Sequence, residues 1–338
     1  MTAAPGTKRA TLGDVARAAG VSVPTVSKVV KGRSDVAPET RARILTLLRD
    51  YGYAPRGVVS DAVPRVVELC FDSMANTNNL ETTRGVLEAA ERLNVDVVVK
   101  ITPTDMDGAT WAARVTGARH SGVILVTSQL LRDQQEQFAA AGVPIVVIDP
   151  VNTPVDALPS VGVNNFTGGY LATKHLIDLG HTRIAMIQGT PSECSHARLA
   201  GYHAAIREAG IAALAQHEEP GAFRFEDGEQ AAYRLFDLPV RPTAIFAAND
   251  LEALGVFEAA RKRSIRIPRD VSVVGFDDSR QAVSASPRLT TVRQPFAEIG
   301  STALQVLLQL ADGVALATQR LELTTQLVVR ESTAPPPQ

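Results

Sequence analysis

Residues 11–30 read TLGDVARAAGVSVPTVSKVV, and their spacing sets the fold of the first part of the chain. Thr11 is placed to cap a helix, with Asp14 three residues on as in a capping box. Leu12, Val15, Ala16 and Ala19 then fall on one apolar face. Gly20 permits a tight turn. Ser22 caps a second helix, expected to run to about Lys31 with Val23, Val26 and Val30 as its buried stripe. Pro24 sits near the first helical position, where a missing N–H costs nothing. A third helix is expected from near Pro38 to Gly52, with Ile44, Leu47, Leu48 and Tyr51 repeating the helical spacing. Two short helices joined by a three-residue turn make a helix-turn-helix.

The charge of this segment is distinctive. Residues 1–60 hold ten Lys/Arg and four Asp/Glu, a net charge of +6, whereas the remainder carries −8. A small basic head on an acidic body implies that the head alone meets a polyanion. The outward side of the second helix carries Pro24, Thr25, Ser27 and Lys28, with Lys31 at its end. Hydroxyls suit phosphates, and a lysine reaches a base edge or a phosphate in the major groove. The plainer alternatives are a three-helix mini-domain and a charged surface without a partner.

Pro55, Gly57 and Pro64 punctuate a linker over 55–64. Beyond it, short apolar runs alternate with amphipathic stretches. Strands are expected at 66–71, 96–100, 123–126, 145–148, 183–187, 244–246 and 271–275. Helices are expected near 79–93, 107–119, 132–141, 165–179, 196–209, 227–236, 250–262 and 296–311. Near-continuous Val/Ile runs alternating with helices predict parallel sheets covered on both faces. So many strands over about 270 residues predict two α/β lobes. The chain therefore reads as an all-α helix-turn-helix headpiece (1–54), a linker (55–64) and a core of two parallel-sheet lobes (65–332). The first lobe takes about 65–162 plus 293–320, the second about 163–292 plus 321–332. The Pro-rich tail 333–338 is expected to be disordered.

Ligands of open parallel sheets bind beyond the carboxyl ends of the strands. Asp72, Asp149, Asn249, Asp250, Asp277 and Asp278 fall there, with Arg198 on a following helix and Phe223 in a following loop. Carboxylates, Asn and Arg bind vicinal hydroxyls, and an aromatic ring packs on the C–H face of a sugar. Taken singly, each residue reads equally well as a helix cap or loop closure, Asn249-Asp250 above all.

No phosphate-binding glycine loop, zinc-protease motif or nucleophile elbow occurs, which argues against an enzyme. Two cysteines, Cys70 and Cys194, make neither a disulfide framework nor a four-ligand zinc site. No metal or cofactor is expected. Apolar runs fall short of the ~18 residues of a membrane span, and the first residues lack the apolar core of a signal peptide. A cytoplasmic location is expected.

Residues 11–30 resemble the head of the lactose-repressor (LacI/GalR) family of bacterial transcription regulators. The likeness continues through DVAPETRARI (35–44), YGYAP (51–55), HLIDLGHTRIA (175–185), RLAGY (198–202), RPTAIFAAND (241–250), PRDVSVVGFDD (268–278) and LTTVRQP (289–295). It implies a core shaped like a periplasmic sugar-binding protein, an effector held between its lobes, and a homodimer on a pseudo-palindromic double-stranded operator. It implies base contacts from Val23, Pro24 and Lys28, and phosphate contacts from Thr11, Ser22, Thr25 and Ser27. Its effector positions fall on Asp149, Arg198, Phe223, Asn249, Asp277 and Gln294, with Asp72 and Asn78 where the family varies its ligand. Val23-Pro24 departs from the polar pair of many members, and the linker lacks the A-x-x-L hinge that wedges a leucine into the minor groove. The resulting expectation is a sequence-specific repressor tuned by a small molecule, most simply a mono- or oligosaccharide. The competing expectation is a sugar-binding protein of a transport system.

Overall fold

The computed structural model describes residues 11–30, 36–50, 65–74, 78–103, 106–127, 132–152 and 158–337. The chain divides into two units, Met1–Pro64 and Arg65–Gln338.

The first unit contains α1 (Leu12–Ala19), α2 (Val23–Val30) and α3 (Pro38–Asp50). The capping box forms: Thr11 N–H donates to Asp14 Oδ2 at 2.9 Å, and Asp14 N–H to Thr11 Oγ1 at 3.3 Å. Gly20 ends α1 in the left-handed region (φ 65°), where its N–H reaches the carbonyls of Ala16 and Arg17. Val15, Ala16, Ala19, Val26, Val29, Ile44 and Leu48 form the core. The expected stripe of α2 needs a correction. Val23 is 45% exposed, and Val26 and Val29 are the buried pair. Val23 and Val29 lie on opposite sides of Val26, and the core meets the side of Val29. Lys31, Gly52 and the linker lie outside the described residues.

The second unit opens with β1 (Arg65–Phe71), α4 (Asn78–Leu93), β2 (Val95–Ile101), α5 (Gly108–Gly117), β3 (Val123–Val126), α6 (Arg132–Ala140), β4 (Ile145–Ile148) and β5 (Ser160–Val163). It continues with α7 (Asn165–Asp178), β6 (Ile184–Ile187), α8 (Glu193–Glu208), β7 (Glu218–Glu219), α9 (Phe225–Phe236), β8 (Ala244–Ala247), α10 (Asp250–Lys262), β9 (Ser272–Asp277), α11 (Arg280–Ser284) and β10 (Thr290–Arg293). It closes with α12 (Phe296–Ala311), β11 (Arg320–Leu323) and β12 (Gln326–Val328). All seven expected strands are present, with ends shifted by at most two residues.

Two six-stranded sheets result, ordered β11-β5-β4-β3-β1-β2 and β12-β10-β9-β8-β6-β7. Every pairing is parallel except β10 with β12. Alternation along β1 sends Val67, Leu69 and Phe71 to the layer of α4 and α12, and Cys70 to that of Trp111 and Phe138. Trp111 is packing, edge-on to Phe138 at 5.2 Å. The second sheet is covered likewise, by α9 and α10 on one face and α7 and α8 on the other. Each fully buried aliphatic side chain contributes about 1.5–3 kcal/mol.

The chain passes between lobes after β5, β10 and β11. These crossings differ from the expected boundaries. Leu323 pairs with Val163 in the first sheet, so Val163 and residues 321–323 belong to the first lobe. Arg293 pairs with Asp277, so it belongs to the second. The expectation of a disordered tail is also corrected. Ser332 is wholly buried, donating to the Val273 carbonyl at 2.6 Å and accepting the Thr290 N–H at 2.8 Å. Thr333 Oγ1 bonds His175 Nε2 at 3.0 Å, and the Ala334 carbonyl accepts from His181 Nε2 at 2.9 Å. The tail is held because its backbone runs past the buried His181 and Ser272, whose polar atoms need partners.

Candidate functional site

In the head, Ser22 Oγ accepts the Thr25 N–H at 3.4 Å and lies 2.8 Å from Thr25 Oγ1, which organises the start of α2. Thr11, Ser22, Val23, Pro24 and Lys28 are exposed, and Thr25 and Ser27 partly so. The described contact candidates therefore share accessible surface at the beginnings of α1 and α2 and along one side of α2.

In the core, the strand ends bring a polar cluster together between the lobes. Arg198, on α8, is only 5% exposed. Its Nε donates to Asn165 Oδ1 at 2.9 Å, and one terminal nitrogen to the Ala248 carbonyl at 2.7 Å. Its guanidinium lies 3.7 Å from the centre of the Phe276 ring and 5.7 Å from that of Phe223. Asp277, at the end of β9, accepts Asn78 Nδ2 at 2.7 Å and Gln294 Nε2 at 2.6 Å. Asn78 belongs to the first lobe and Asp277 to the second, so this contact ties the lobes. Asn249 has two roles: its Oδ1 caps α10, and its Nδ2 donates to the Phe223 carbonyl at 3.0 Å.

Burial pushes Asp149 up to about 6; nearby Arg198 opposes that shift and Asp277 adds to it. Burial also raises Asp277, against Arg198, Asn78 and Gln294. Asp250, held by Thr291 Oγ1 at 2.6 Å and the Ser279 N–H at 2.7 Å, is raised by burial and by Asp277. Asp149, Phe223, Asp277 and Asp278 all have positive φ, of 44°, 61°, 121° and 59°. Such strain, about 1–3 kcal/mol per residue, clusters at ligand sites. Gly189 makes room for Phe223: a Cβ there would lie 2.0 Å from the ring.

The structure thus gathers Asn78, Asp149, Arg198, Phe223, Asn249, Asp277 and Gln294. Asp72 follows β1 on the surface, and His196, near Arg198 in sequence, is exposed. Sequence reading passed over Asn165, Phe276 and Glu252. It missed Asn165 because β5, which delivers it, is only four residues long. Phe276 read as plain strand core. Glu252 carried no signal, since an acid in the first turn of a helix is ordinary. Cys194 borders the cleft with its thiol raised by burial. Among the described residues no group of acids, histidines or cysteines could hold a metal, and no helix is long and apolar enough to cross a membrane.

A basic helix-turn-helix unit and a two-lobed core with a polar cleft define a ligand-responsive DNA-binding regulator. Residues 11–56 match the model of bacterial regulatory proteins of the lacI family, and residues 173–333 match the periplasmic binding protein-like domain. The ribose operon repressor of Escherichia coli (strain K12) is 33% identical over 336 residues, 96% of this chain and 99% of the relative. Among solved structures, the transcriptional regulator CelR in complex with cellobiose has a TM-score of 0.72 at 32% identity, covering 96% of this chain and 100% of that one. The lac repressor dimer bound to operator and an anti-inducer has a TM-score of 0.71 at 30% identity, covering 97% and 100%. The chain belongs to the lacI family of bacterial regulatory proteins, and it is a DNA-binding transcriptional regulator.

Proposed function

We propose that this regulator is a cytoplasmic, non-enzymatic repressor whose operator affinity is set by a sugar held between its lobes. Val23, Pro24, Lys28 and Lys31 contact bases or the adjoining backbone, and Thr11, Ser22, Thr25 and Ser27 contact phosphates. Asn78, Asp149, Arg198, Phe223, Asn249, Asp277 and Gln294 form the effector site, and Asp72, on the surface, is left out of it. One observation carries the reading: Asn78 of one lobe and Gln294 of an interlobe crossing both donate to Asp277 of the other. A ligand bound there competes for those bonds, so it binds the two lobe arrangements unequally. Only such unequal binding shifts a conformational equilibrium.

Two copies on a twofold axis read a pseudo-palindrome. Support for a homodimer comes from Leu80 (60% exposed) and Leu87 on α4 and Val99 and Ile101 on β2, a strand at the edge of its sheet. The lac repressor is seen as a dimer on its operator, and CelR with cellobiose. The test selects bound fragments from a random duplex library with the full chain, then repeats the binding with a saccharide panel. Enrichment of an inverted repeat, released or tightened by one panel member, is the expected result. No enriched sequence would refute the reading.

A further inference from the structure

This inference rests on the effector reading of the cleft and concerns the charge of what enters it. A recess of about 250 Å³ opens between the ends of β4 and β5 and the start of α8, bordered by Asp149, Asn165, Glu193, Arg320 and Glu322. That volume is small for a ligand pocket and suits a single sugar ring.

The cations here are already committed. Arg198 gives Nε and one terminal nitrogen to Asn165 and Ala248 and lays its face on Phe276. Arg320 is paired with Glu193 across the cleft and with Glu322 on its own strand. Acceptors are left over. Glu193 Oε2, at the recess, and Gln294 Oε1, outside it beside Asp277, are both buried without a hydrogen-bond partner. Three carboxylates (Asp149, Glu193 and Glu322) line the recess with one guanidinium, that of Arg320, and Asp277 and Arg198 lie close enough to act on the charge of Asp149. Buried acceptors favour a ligand that brings donors, and an excess of acids lining the recess repels an anion.

We infer that the cleft selects a polyhydroxyl ligand that is uncharged or cationic and rejects its phosphorylated counterpart. Hydroxyl or ammonium protons meet the free acceptors. A phosphate would meet carboxylates and a guanidinium with one terminal nitrogen left to offer.

The test uses the full chain and matched ligands: glucose, glucosamine and glucose 6-phosphate; ribose and ribose 5-phosphate; and cellobiose. Melting shifts and calorimetric titration give affinities, and Arg198→Ala shows which binding belongs to this cleft. Binding lost in that variant, at least 30-fold weaker for a phosphorylated sugar than for its parent, supports the inference. Glu193→Gln, which removes one negative charge, narrows that gap at least threefold. A phosphorylated sugar that binds more tightly than its parent, and loses binding in Arg198→Ala, overturns the inference and leaves the effector reading standing. If no member binds, the effector reading falls and takes the inference with it.

Discussion

Glu252 accepts the backbone N–H of Phe223 at 2.9 Å from a side chain with no exposure to solvent. Asn249 Nδ2 holds the carbonyl of the same residue. The loop that carries the aromatic is thus pinned at both polar atoms of a residue with φ of 61°. Glu252→Ala removes one pin and leaves a buried N–H unpaired, at about 1–3 kcal/mol. Amide exchange over 219–226 should quicken about tenfold or more, while exchange over β8 stays unchanged. Glu252→Gln keeps an acceptor and should restore slow exchange. Unaltered exchange in the alanine variant would remove Glu252 from this role.

The same side chain sets a pH dependence. Burial pushes Glu252 from the ordinary glutamate value of 4.5 up to about 8, and Asp149 from the ordinary aspartate value of 3.8 up to about 6. The folded state therefore holds protons that the unfolded chain releases. That stability is complete below the unfolded values and is lost as pH rises through about 6 and then about 8. Urea midpoints should fall between pH 5 and pH 9. Glu252→Gln should flatten the slope and stabilise the core at pH 9 by roughly 2 kcal/mol. A pH slope left unchanged by Glu252→Gln would contradict the assignment.

His181 gives a third prediction. Its Nδ1 bonds Thr243 Oγ1 at 2.9 Å, and its Nε2 serves Ser272 and the Ala334 carbonyl. Deleting residues 333–338 takes away that carbonyl and the partner of His175. The loss should be about 1–3 kcal/mol, read as a lower urea midpoint with DNA affinity per folded molecule unchanged. A truncated chain as stable as the full one would mean that the tail contributes nothing.

Lys28 lies exposed on α2 beside Val23 and Pro24. Lys28→Ala should weaken operator binding by about 1–3 kcal/mol and relax the preference at one base position in each half-site. Equal weakening on all sequences, with a salt slope reduced by about 0.9, would make it a phosphate contact instead.

The head was legible in residues 11–30 because capping, helical period and turn all coincide there; Val23 faces outward instead, and Val29 joins Val26 in the core. The strands of the two sheets were legible as Val/Ile runs. β5, β7, β10, β11 and β12 were not, since two to four residues rich in Thr, Gly or charge carry little periodicity. Of these, β5, β10 and β11 set the lobe crossings, which is why the expected boundaries slipped by a few residues. Strand ends alone point to Asp149, Arg198, Phe223, Asn249 and Asp277. Glu252 and the Arg320–Glu193 pair depend on tertiary placement, which no local pattern records. The tail was misread because its prolines outweighed Thr333 and Ala334, whose partners lie far away in the chain.

Central to the account is a DNA grip governed by the cleft around Arg198. The most direct measurement is the dissociation constant for a selected operator, with and without a saturating effector, for the wild type, Arg198→Lys and Arg198→Ala, each first shown to melt cooperatively. The wild type should shift at least tenfold, and both variants should bind bare operator normally with little or no shift. An effector response of wild-type size in the alanine variant would contradict the account.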